Sequence, residues 1–285
     1  MSKQGLEANA PTVSAAALAD AVLALRAAGC VFAEDEAEAL GSAVADEAEL
    51  AALVRRRAGG EPLEQVVGYA DFGGLRVRLR PGVFVPRVRS ELLARRGGEH
   101  ADQTARHRRD GPVVVVDLCC GSGALGLAVT AHRPRTILYA ADIDPNAVAC
   151  ARDNLRSASG SLAGRLGERV FHGDLFDALP DELIGTIDVL LANVPYVATR
   201  HIPLLPAEAR DHEPRTALDG GADGLDVFRA VVGAAPRWLA PGGVLLSEIT
   251  EAQVEAATAA VRAAGLRAEV AFDEDLEATV VLGHN

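Results

Sequence analysis

The first part of the chain carries apolar residues at helical spacing among alanines and acidic residues. Leu18, Val22 and Leu25 recur at intervals of four and three, and Leu50 and Val54 repeat the spacing further along. Ala, Leu and Glu, which dominate residues 14–57, are strong helix formers. The pattern predicts a small helical domain at residues 1–65.

In the next segment apolar and polar residues alternate with a period of two: Leu75, Val77 and Leu79 alternate with arginines. This alternation is typical of a half-exposed strand, and the preceding stretch EQVVGYADF is the expected partner in a hairpin. Residues 94–111 are rich in glycine and arginine, and we interpret them as a link. The sequence therefore predicts a β-hairpin and linker at residues 66–110.

From residue 112 onward, apolar runs alternate with amphipathic segments. The pattern predicts strands at residues 113–118, 136–142, 169–173, 187–192, 243–249, 267–272 and 278–282, and helices at residues 124–131, 145–157, 226–239 and 252–264. Strands that alternate with helices indicate an α/β fold with a mostly parallel, doubly wound sheet. The last two strands follow each other without a helix, so we expect the final one to run antiparallel. The predicted α/β domain covers residues 111–285.

Composition narrows the class of protein. With 285 residues, 49% of them hydrophobic, the chain can form one large domain and a small appendage. No run reaches the ~18 apolar residues of a membrane span. The N-terminal stretch lacks the basic region and apolar core of a signal peptide, so we expect a cytoplasmic protein without a membrane partner.

Charge and cysteine usage exclude two further classes of function. A net charge of −12 argues against extensive nucleic-acid binding. Cys30, Cys119, Cys120 and Cys150 form no C-x-x-C pair, so we expect reduced thiols and no metal site.

A glycine-rich loop follows the first strand of the predicted sheet. Gly121, Gly123 and Gly126 satisfy G-x-G-x-x-G between a strand and a helix, where glycine allows a tight turn and close approach of a ligand. Asp142 ends the second strand about 20 residues later, where a carboxylate can bind ribose hydroxyls. Both features fit a nicotinamide cofactor or another nucleoside-bearing cofactor.

Three observations favour S-adenosyl-L-methionine, with S-adenosyl-L-homocysteine as the product. Asp117 ends the first strand, where it can help to receive a cationic amino-acid group and would repel a pyrophosphate. Asp174 follows the third strand and can meet an adenine amino group. The fourth strand ends in a tetrad for which a dehydrogenase has no use, Asn193-Val194-Pro195-Tyr196.

The tetrad suits methyl transfer to a planar nitrogen, whose delocalised lone pair makes it a weak nucleophile. Asn193 supplies a side-chain oxygen, and Val194 supplies a main-chain carbonyl. Acceptors aimed at the N–H groups favour the positive charge that develops on the nitrogen. Pro195 stiffens the loop, and Tyr196 can stack on a planar group. No strong base is required, because methylation itself makes the nitrogen acidic.

Four further segments of the chain carry motifs that occur together, and in this order, in one known family. They are EPLEQVVGYADF (residues 61–72), FVPR (84–87), VVDLCCGSGALGLAV (115–129) and HEPRTALDGGADGLDVFR (212–229). With the tetrad, these segments resemble the protein-(glutamine-N5) methyltransferases that act on peptide chain release factors. The likeness extends over residues 61–282.

This resemblance implies a class I S-adenosylmethionine-dependent methyltransferase fold, which is Rossmann-like with seven mostly parallel strands. It also implies a peptide chain release factor as partner, recognised in part by the N-terminal helices. The tetrad Asn193, Val194, Pro195 and Tyr196 would hold the substrate amide. The residues implied at the cofactor are Cys119, Cys120, Gly121, Ser122, Gly123, Asp142, Ile143, Asp174, Leu175 and Asn193, with Phe84 and Arg87 at its border.

Two departures from the family pattern keep other acceptors open. Val194 stands where the family's N-P-P-Y has its first proline, and Arg89 stands where the family has an acid. The alternatives are a small-molecule amide or amine, and adenine in RNA, since ribosomal RNA dimethyladenosine transferases share N-[LIV]-P-[YF]. The helical domain, the FVPR segment and the acidic charge weigh against RNA. A catalytically inactive binding module is the non-enzyme alternative, and the intact Gly121, Asp142 and Asn193 argue against it.

Overall fold

The computed structural model describes residues 13–108, 110–158 and 169–285, which form two compact units. Most of the N-terminal stretch for which no signal peptide is predicted lies outside these residues. So do residue 109 of the predicted link and residues 159–168 of the predicted α/β domain. No helix of the described part has both the length and the apolar character needed to cross a bilayer.

The first unit comprises residues up to Gly68 together with Ala207–His212. Its helices are α1 (Ala15–Ala27), α2 (Ala33–Ser42), α3 (Glu47–Ala58), α4 (Leu63–Val67) and, much later in the chain, α8 (Ala207–His212). Ser14 and Asp46 begin α1 and α3 by accepting hydrogen bonds from the N–H groups of Ala17 and Glu49, as N-cap residues do. The core of this unit contains Leu25, Leu40, Leu50, Val54 and Val66.

A buried arginine links three helices of the first unit. The Arg57 guanidinium lies 2.6 Å from Glu36 on α2 and 2.7 Å from Glu208 on α8. Only 9% of the Arg57 side chain is exposed, so the two carboxylates satisfy a charge that water cannot reach. Glu208 therefore fixes α8 to the helices that precede it by more than a hundred residues.

The second unit, which comprises Tyr69–Pro206 and Glu213–Asn285, begins with the predicted hairpin. Strands β1 (Tyr69–Phe72) and β2 (Leu75–Arg78) pair antiparallel. The stretch interpreted as a link is instead mostly helix α5 (Glu91–His107), so that interpretation was wrong. Gly97 and Gly98, which contributed to that interpretation, are both buried, and a Cβ on Gly97 would lie 2.8 Å from Leu191. Here glycine lets a helix approach a strand closely.

The seven-stranded sheet confirms the predicted topology. Its strands are β3 (Val113–Leu118), β4 (Thr136–Asp142), β5 (Val170–His172), β6 (Ile187–Ala192), β7 (Leu239–Ile249), β8 (Arg267–Asp273) and β9 (Ala278–His284), in the spatial order β5-β4-β3-β6-β7-β9-β8. Strands β3 to β7 run parallel, and β9 pairs antiparallel with both neighbours. The expected antiparallel last strand is therefore present, and it lies between β7 and β8.

Helices cover both faces of the sheet. They are α5, α6 (Ala124–Thr130), α7 (Pro145–Ser157), α10 (Asp226–Trp238) and α11 (Val254–Ala263). The short helix α9 (Arg215–Leu218) lies in the chain between β6 and α10. Alternate residues of each strand enter two separate cores: Val115 and Leu191 pack with α5 to α7, whereas Val116 and Leu190 pack with α10 and α11. All six residues of β6 are buried, as expected for a central parallel strand.

Two half-buried histidines should make stability depend on pH. His100 Nε2 lies 3.1 Å from the Gly242 carbonyl oxygen, and His284 Nε2 lies 3.0 Å from Glu269 Oε2. Burial lowers the pKa of both imidazoles below the ordinary 6.5, and the neighbouring Arg267 lowers that of His284 further. Between the lowered pKa values and 6.5 the folded chain binds fewer protons than the unfolded chain. The free energy of unfolding should therefore fall as the pH drops through this range.

Urea unfolding at a series of pH values spanning 6.5 measures this effect. The double variant H100Q/H284Q should show a shallower decrease, because neither position can then take up a proton. An equal slope in the wild type and the double variant would contradict the assignment.

Candidate active site

The predicted site residues lie at one edge of the sheet, where parallel strands β3, β4 and β6 end. Leu118, the last residue of β3, pairs with Ala141 of β4 and with Ala192, the last residue of β6. The glycine loop, Asp142 and the tetrad therefore leave neighbouring strands at the same level. In open α/β sheets this carboxyl edge is where ligands bind.

The glycine loop turns sharply and leaves one side open. Cys119, Gly121 and Gly123 have φ angles of 56°, 55° and 79°, which lie in a backbone region that residues other than glycine rarely adopt. The Gly121 N–H donates to Asp142 Oδ2 at 2.8 Å, which ties the loop to the end of β4. A Cβ on Gly121 would meet no atom within 4 Å, so the main chain there is open to a ligand.

Asp117 lies beneath the loop and is completely buried. Its Oδ2 accepts a hydrogen bond from the Gly126 N–H at 2.9 Å, whereas its Oδ1 has no partner in the part of the chain that the structure describes. The pKa of this carboxyl group is raised to about 8, mainly by burial and to a smaller extent by the charge of Asp142. A pKa near 8 favours the protonated group at neutral pH, and a cationic ligand that donates to the unpaired Oδ1 would favour the carboxylate instead.

The loop lies in a negative field. Burial is the main cause that raises the pKa of the Cys119 thiol, and the charges of Asp142, Asp117 and Asp174 raise it further. Since a thiolate is disfavoured, Cys119 is a neutral thiol beside three acids. Such a field favours a cationic ligand.

The remaining cofactor candidates contribute in different ways. Ile143 is 54% exposed and presents apolar surface just after Asp142. Asp174 is exposed, and Leu175 is half-buried with a φ of 45°. Cys120 and Ser122 are buried.

The tetrad follows β6 and presents one unpaired oxygen. Asn193 Nδ2 donates to Ser90 Oγ at 3.3 Å, but Asn193 Oδ1 is buried and has no partner among the described residues. Val194 and Pro195 are buried. The Tyr196 hydroxyl donates to Glu248 Oε1 at 2.8 Å. Burial, followed by the charge of Glu248, raises the pKa of Tyr196, so its phenol stays protonated.

Glu213 holds the FVPR segment through an ion pair and a hydrogen bond from the main chain. Arg87 Nη2 lies 2.7 Å from both carboxylate oxygens of Glu213, and its guanidinium carbon lies 5.1 Å from the centre of the Phe84 ring. Glu213 Oε1 also accepts a hydrogen bond from the Val85 N–H at 3.2 Å. Glu213 is therefore the buried anchor of this segment.

Three residues that the sequence analysis did not single out hold the tetrad. Ser90 and Glu248 bind its side chains, and Gln253 Nε2 donates to the Tyr196 carbonyl oxygen at 3.0 Å. One signal pointed to Glu248. It is the single acid at the end of the apolar run VLLSEI, where a buried strand meets the ligand edge of the sheet.

Comparison with known proteins identifies relatives along most of the chain. Residues 103–208 match the family model described as methyltransferase small domain. The release factor glutamine methyltransferase of Geobacter sulfurreducens is 38% identical, covering 73% of this chain and 68% of that protein. The enzyme of the same name from Bifidobacterium longum is 36% identical, covering 82% and 80%.

A relative with a small-molecule acceptor in its name matches equally well. The 4-amino-L-phenylalanine/4-methylamino-L-phenylalanine methyltransferase of Streptomyces pristinaespiralis is 38% identical, covering 74% of this chain and 69% of that protein. The match thus includes proteins named for different acceptors.

Solved structures agree on the fold. The catalytic domain of hMettl16, solved with MAT2A 3′UTR hairpin 6, aligns with a TM-score of 0.55 at 11% identity and covers 81% of each chain. A likeness at this identity shows the fold alone, and the fold is the class I methyltransferase fold that the sequence predicted. Given relatives above one-third identity over more than two-thirds of its length, the chain belongs to the release factor glutamine methyltransferase family and is an S-adenosylmethionine-dependent methyltransferase.

Proposed function

We propose that this enzyme methylates the side-chain amide nitrogen of a glutamine in a peptide chain release factor. The observation that carries the proposal is the unpaired, buried Oδ1 of Asn193 at the end of β6. A buried acceptor without a donor costs free energy unless a ligand supplies the donor. The N–H group of a glutamine amide is such a donor. Relatives named release factor glutamine methyltransferase support this choice of acceptor.

The residues at the end of β3 and β4 fit S-adenosyl-L-methionine. The unpaired Asp117 Oδ1 and the negative field around Cys119 suit a ligand with a positive charge. We assign the open face of Gly121 to the amino-acid part of the cofactor, Asp142 to the ribose, and Ile143, Asp174 and Leu175 to the adenine. We place Phe84 and Arg87 at the border of the bound cofactor. When bound, the cofactor supplies an electrophilic methyl group and leaves as S-adenosyl-L-homocysteine.

The protein's own part in the reaction is to hold and polarise the acceptor. In our proposal, Asn193 Oδ1 and the Val194 carbonyl oxygen accept hydrogen bonds from the acceptor N–H groups. These bonds strengthen as the nitrogen becomes positive, which lowers the barrier. The ring of Tyr196 packs against the planar acceptor, and its phenol stays protonated because burial and then the charge of Glu248 raise its pKa. The proton leaves after methylation, so no side chain has to act as a strong base.

We further propose that the helical unit helps to recognise the protein acceptor and that the reaction takes place in the cytoplasm. The first part of this proposal follows the implied role of the N-terminal helices. The second follows from the acceptor, because a release factor acts in translation.

A free aromatic amine is the second candidate acceptor. Arg89 favours this acceptor. Half of the Arg89 side chain is exposed, and its Nε lies 3.8 Å from Glu248 Oε1, the oxygen that accepts the hydrogen bond from Tyr196. An exposed guanidinium there can pair with the carboxylate of a free amino acid. The name of the Streptomyces pristinaespiralis relative describes such a substrate.

Methyl transfer from labelled S-adenosyl-L-methionine to competing acceptors tests the proposal. The enzyme is incubated with a purified release factor, with 4-amino-L-phenylalanine and with ribosomal RNA, and the labelled atom is mapped by mass spectrometry. Label on a glutamine side chain of the release factor is the expected result. Label on the aromatic amine would replace the proposal by the second candidate. Label on adenine, or on none of the three, would contradict both.

A further inference from the structure

Glu248 is a buried carboxylate next to the tetrad, and two hydroxyl groups donate to it. The Ser90 hydroxyl donates to Glu248 Oε2 at 2.6 Å, and the Tyr196 hydroxyl donates to Glu248 Oε1 at 2.8 Å. Glu248 is 2% exposed and Ser90 is 1% exposed. A buried charge held in this way is stabilised by short, charge-assisted hydrogen bonds, which fix the positions of both donors.

The direction of the hydrogen bond between Ser90 and Glu248 determines how Asn193 is oriented. A serine hydroxyl has one proton, and here that proton is committed to the carboxylate. Ser90 Oγ can therefore only accept from Asn193, so it must face the Nδ2 amino group, which lies 3.3 Å away. The reversed amide would place two oxygens together without a proton between them. Asn193 Oδ1 is consequently directed away from Ser90, where it has no partner among the described residues.

The same carboxylate also fixes the other end of the tetrad. The bond from Tyr196 to Glu248 uses the only phenolic proton, so Tyr196 offers its ring and not its hydroxyl hydrogen to an acceptor. Both oxygens of Glu248 are therefore occupied as acceptors. Glu248 can therefore act on the methyl acceptor through these two donors, without touching it.

We propose that Glu248 is the positioning residue of the acceptor site. Through Ser90 it presents the oxygen of Asn193, rather than the amino group, to the acceptor nitrogen. Through Tyr196 it sets the ring against which the acceptor packs. The inference rests on the proposed methyl transfer to a planar nitrogen, and it holds for a glutamine amide and for an aromatic amine.

The substitution E248Q separates positioning from folding. Glutamine has nearly the same shape, but it has one acceptor oxygen and one amino group, so it cannot accept from both hydroxyls. Its amino group can donate to Ser90, which then turns its own proton toward Asn193 and reverses that amide. An amino group would then face the acceptor N–H, and kcat should fall by roughly a hundredfold, as for the loss of one preorganised partner. The Kd for S-adenosyl-L-methionine and the Tm should stay near those of the wild type.

Three comparisons keep this test specific. S90T retains a hydroxyl and should retain activity, whereas S90A should be as slow as E248Q. The double variant S90A/E248Q should be no slower than E248Q, since both changes act through the same amide. E251Q is the matched control, because it makes the same substitution at an exposed glutamate three residues further along.

Two measurements decide the outcome, and one of them needs no acceptor. In the resting enzyme, the Asn193 side-chain amide signal in ¹⁵N NMR should move in E248Q and S90A but not in E251Q. An unmoved signal, or E248Q turnover equal to that of the wild type, would overturn the role of Glu248 and leave the proposed function standing. If the wild type methylates none of the acceptors, the proposed function fails, and the NMR comparison still supports or overturns the orientation of Asn193.

Discussion

Replacing Asn193 by alanine is expected to lower kcat for methyl transfer by roughly a thousandfold, the upper end for loss of one preorganised hydrogen-bonding group. The substitution removes the unpaired Oδ1 that we assign to the acceptor N–H. It should cost little stability, because the side chain of Asn193 makes one hydrogen bond to the described residues, from Nδ2 to Ser90, and that bond is 3.3 Å long. The turnover number with saturating cofactor, together with the Tm, measures the two effects.

The control for this variant is N285A, which removes an asparagine whose amide binds the carbonyl oxygens of Leu239 and Ala240. N285A should keep wild-type kcat. Unchanged turnover in a folded N193A would show that the tetrad oxygen does not take part in the reaction. Loss of turnover together with loss of folding would instead assign Asn193 a structural role.

Replacing Gly121 by alanine is expected to weaken S-adenosyl-L-methionine binding strongly while leaving the protein folded. The added methyl group would enter the open space beside the loop, since no protein atom lies within 4 Å of it. That space is the one we assign to the cofactor, and an overpacked contact costs about 1–3 kcal/mol. The Kd should therefore rise by roughly tenfold to a hundredfold. Isothermal titration with S-adenosyl-L-methionine measures the change.

Backbone strain has to be separated from the loss of space. Gly121 has a φ of 55°, where alanine is disfavoured by about 1–2 kcal/mol. G111A is the matched control: Gly111 has a φ of 83° and equally open surroundings, but it precedes β3 at the opposite edge of the sheet. Both variants should lose similar stability, and only G121A should lose cofactor affinity. Equal Kd values for the two variants would contradict the placement of the cofactor.

The sheet could be predicted from the sequence because its strands are buried on both faces. The residues of β3 and β6 form nearly uninterrupted apolar runs, and the predicted limits of these strands, 113–118 and 187–192, match the structure. Helix α5 was missed because glycine has a low intrinsic helix propensity. The gain that outweighs this cost at Gly97 is close packing against Leu191, a residue far away in the sequence.

The residues of the active site could likewise be predicted only where their place at the end of a strand determines their position. Asp142 ends β4 and Asn193 follows β6, and these two strands lie parallel to β3 on either side of it, so pattern and topology together bring both residues to one edge. The contact from Ser90 to Glu248 joins residues 158 positions apart, and neither lies in a motif that specifies the other. The buried pairing of Arg87 with Glu213 is equally remote. Such contacts depend on packing of the whole second unit, and periodicity carries no information about them.

A crystal structure of the enzyme with S-adenosyl-L-homocysteine and a glutamine-containing release factor peptide tests the central claim most directly. We predict that the acceptor nitrogen lies within hydrogen-bonding distance of both Asn193 Oδ1 and the Val194 carbonyl oxygen, with its lone-pair side facing the sulfur. The ring of Tyr196 should lie against the amide plane. A bound acceptor whose nitrogen contacts neither oxygen would contradict this account of the reaction.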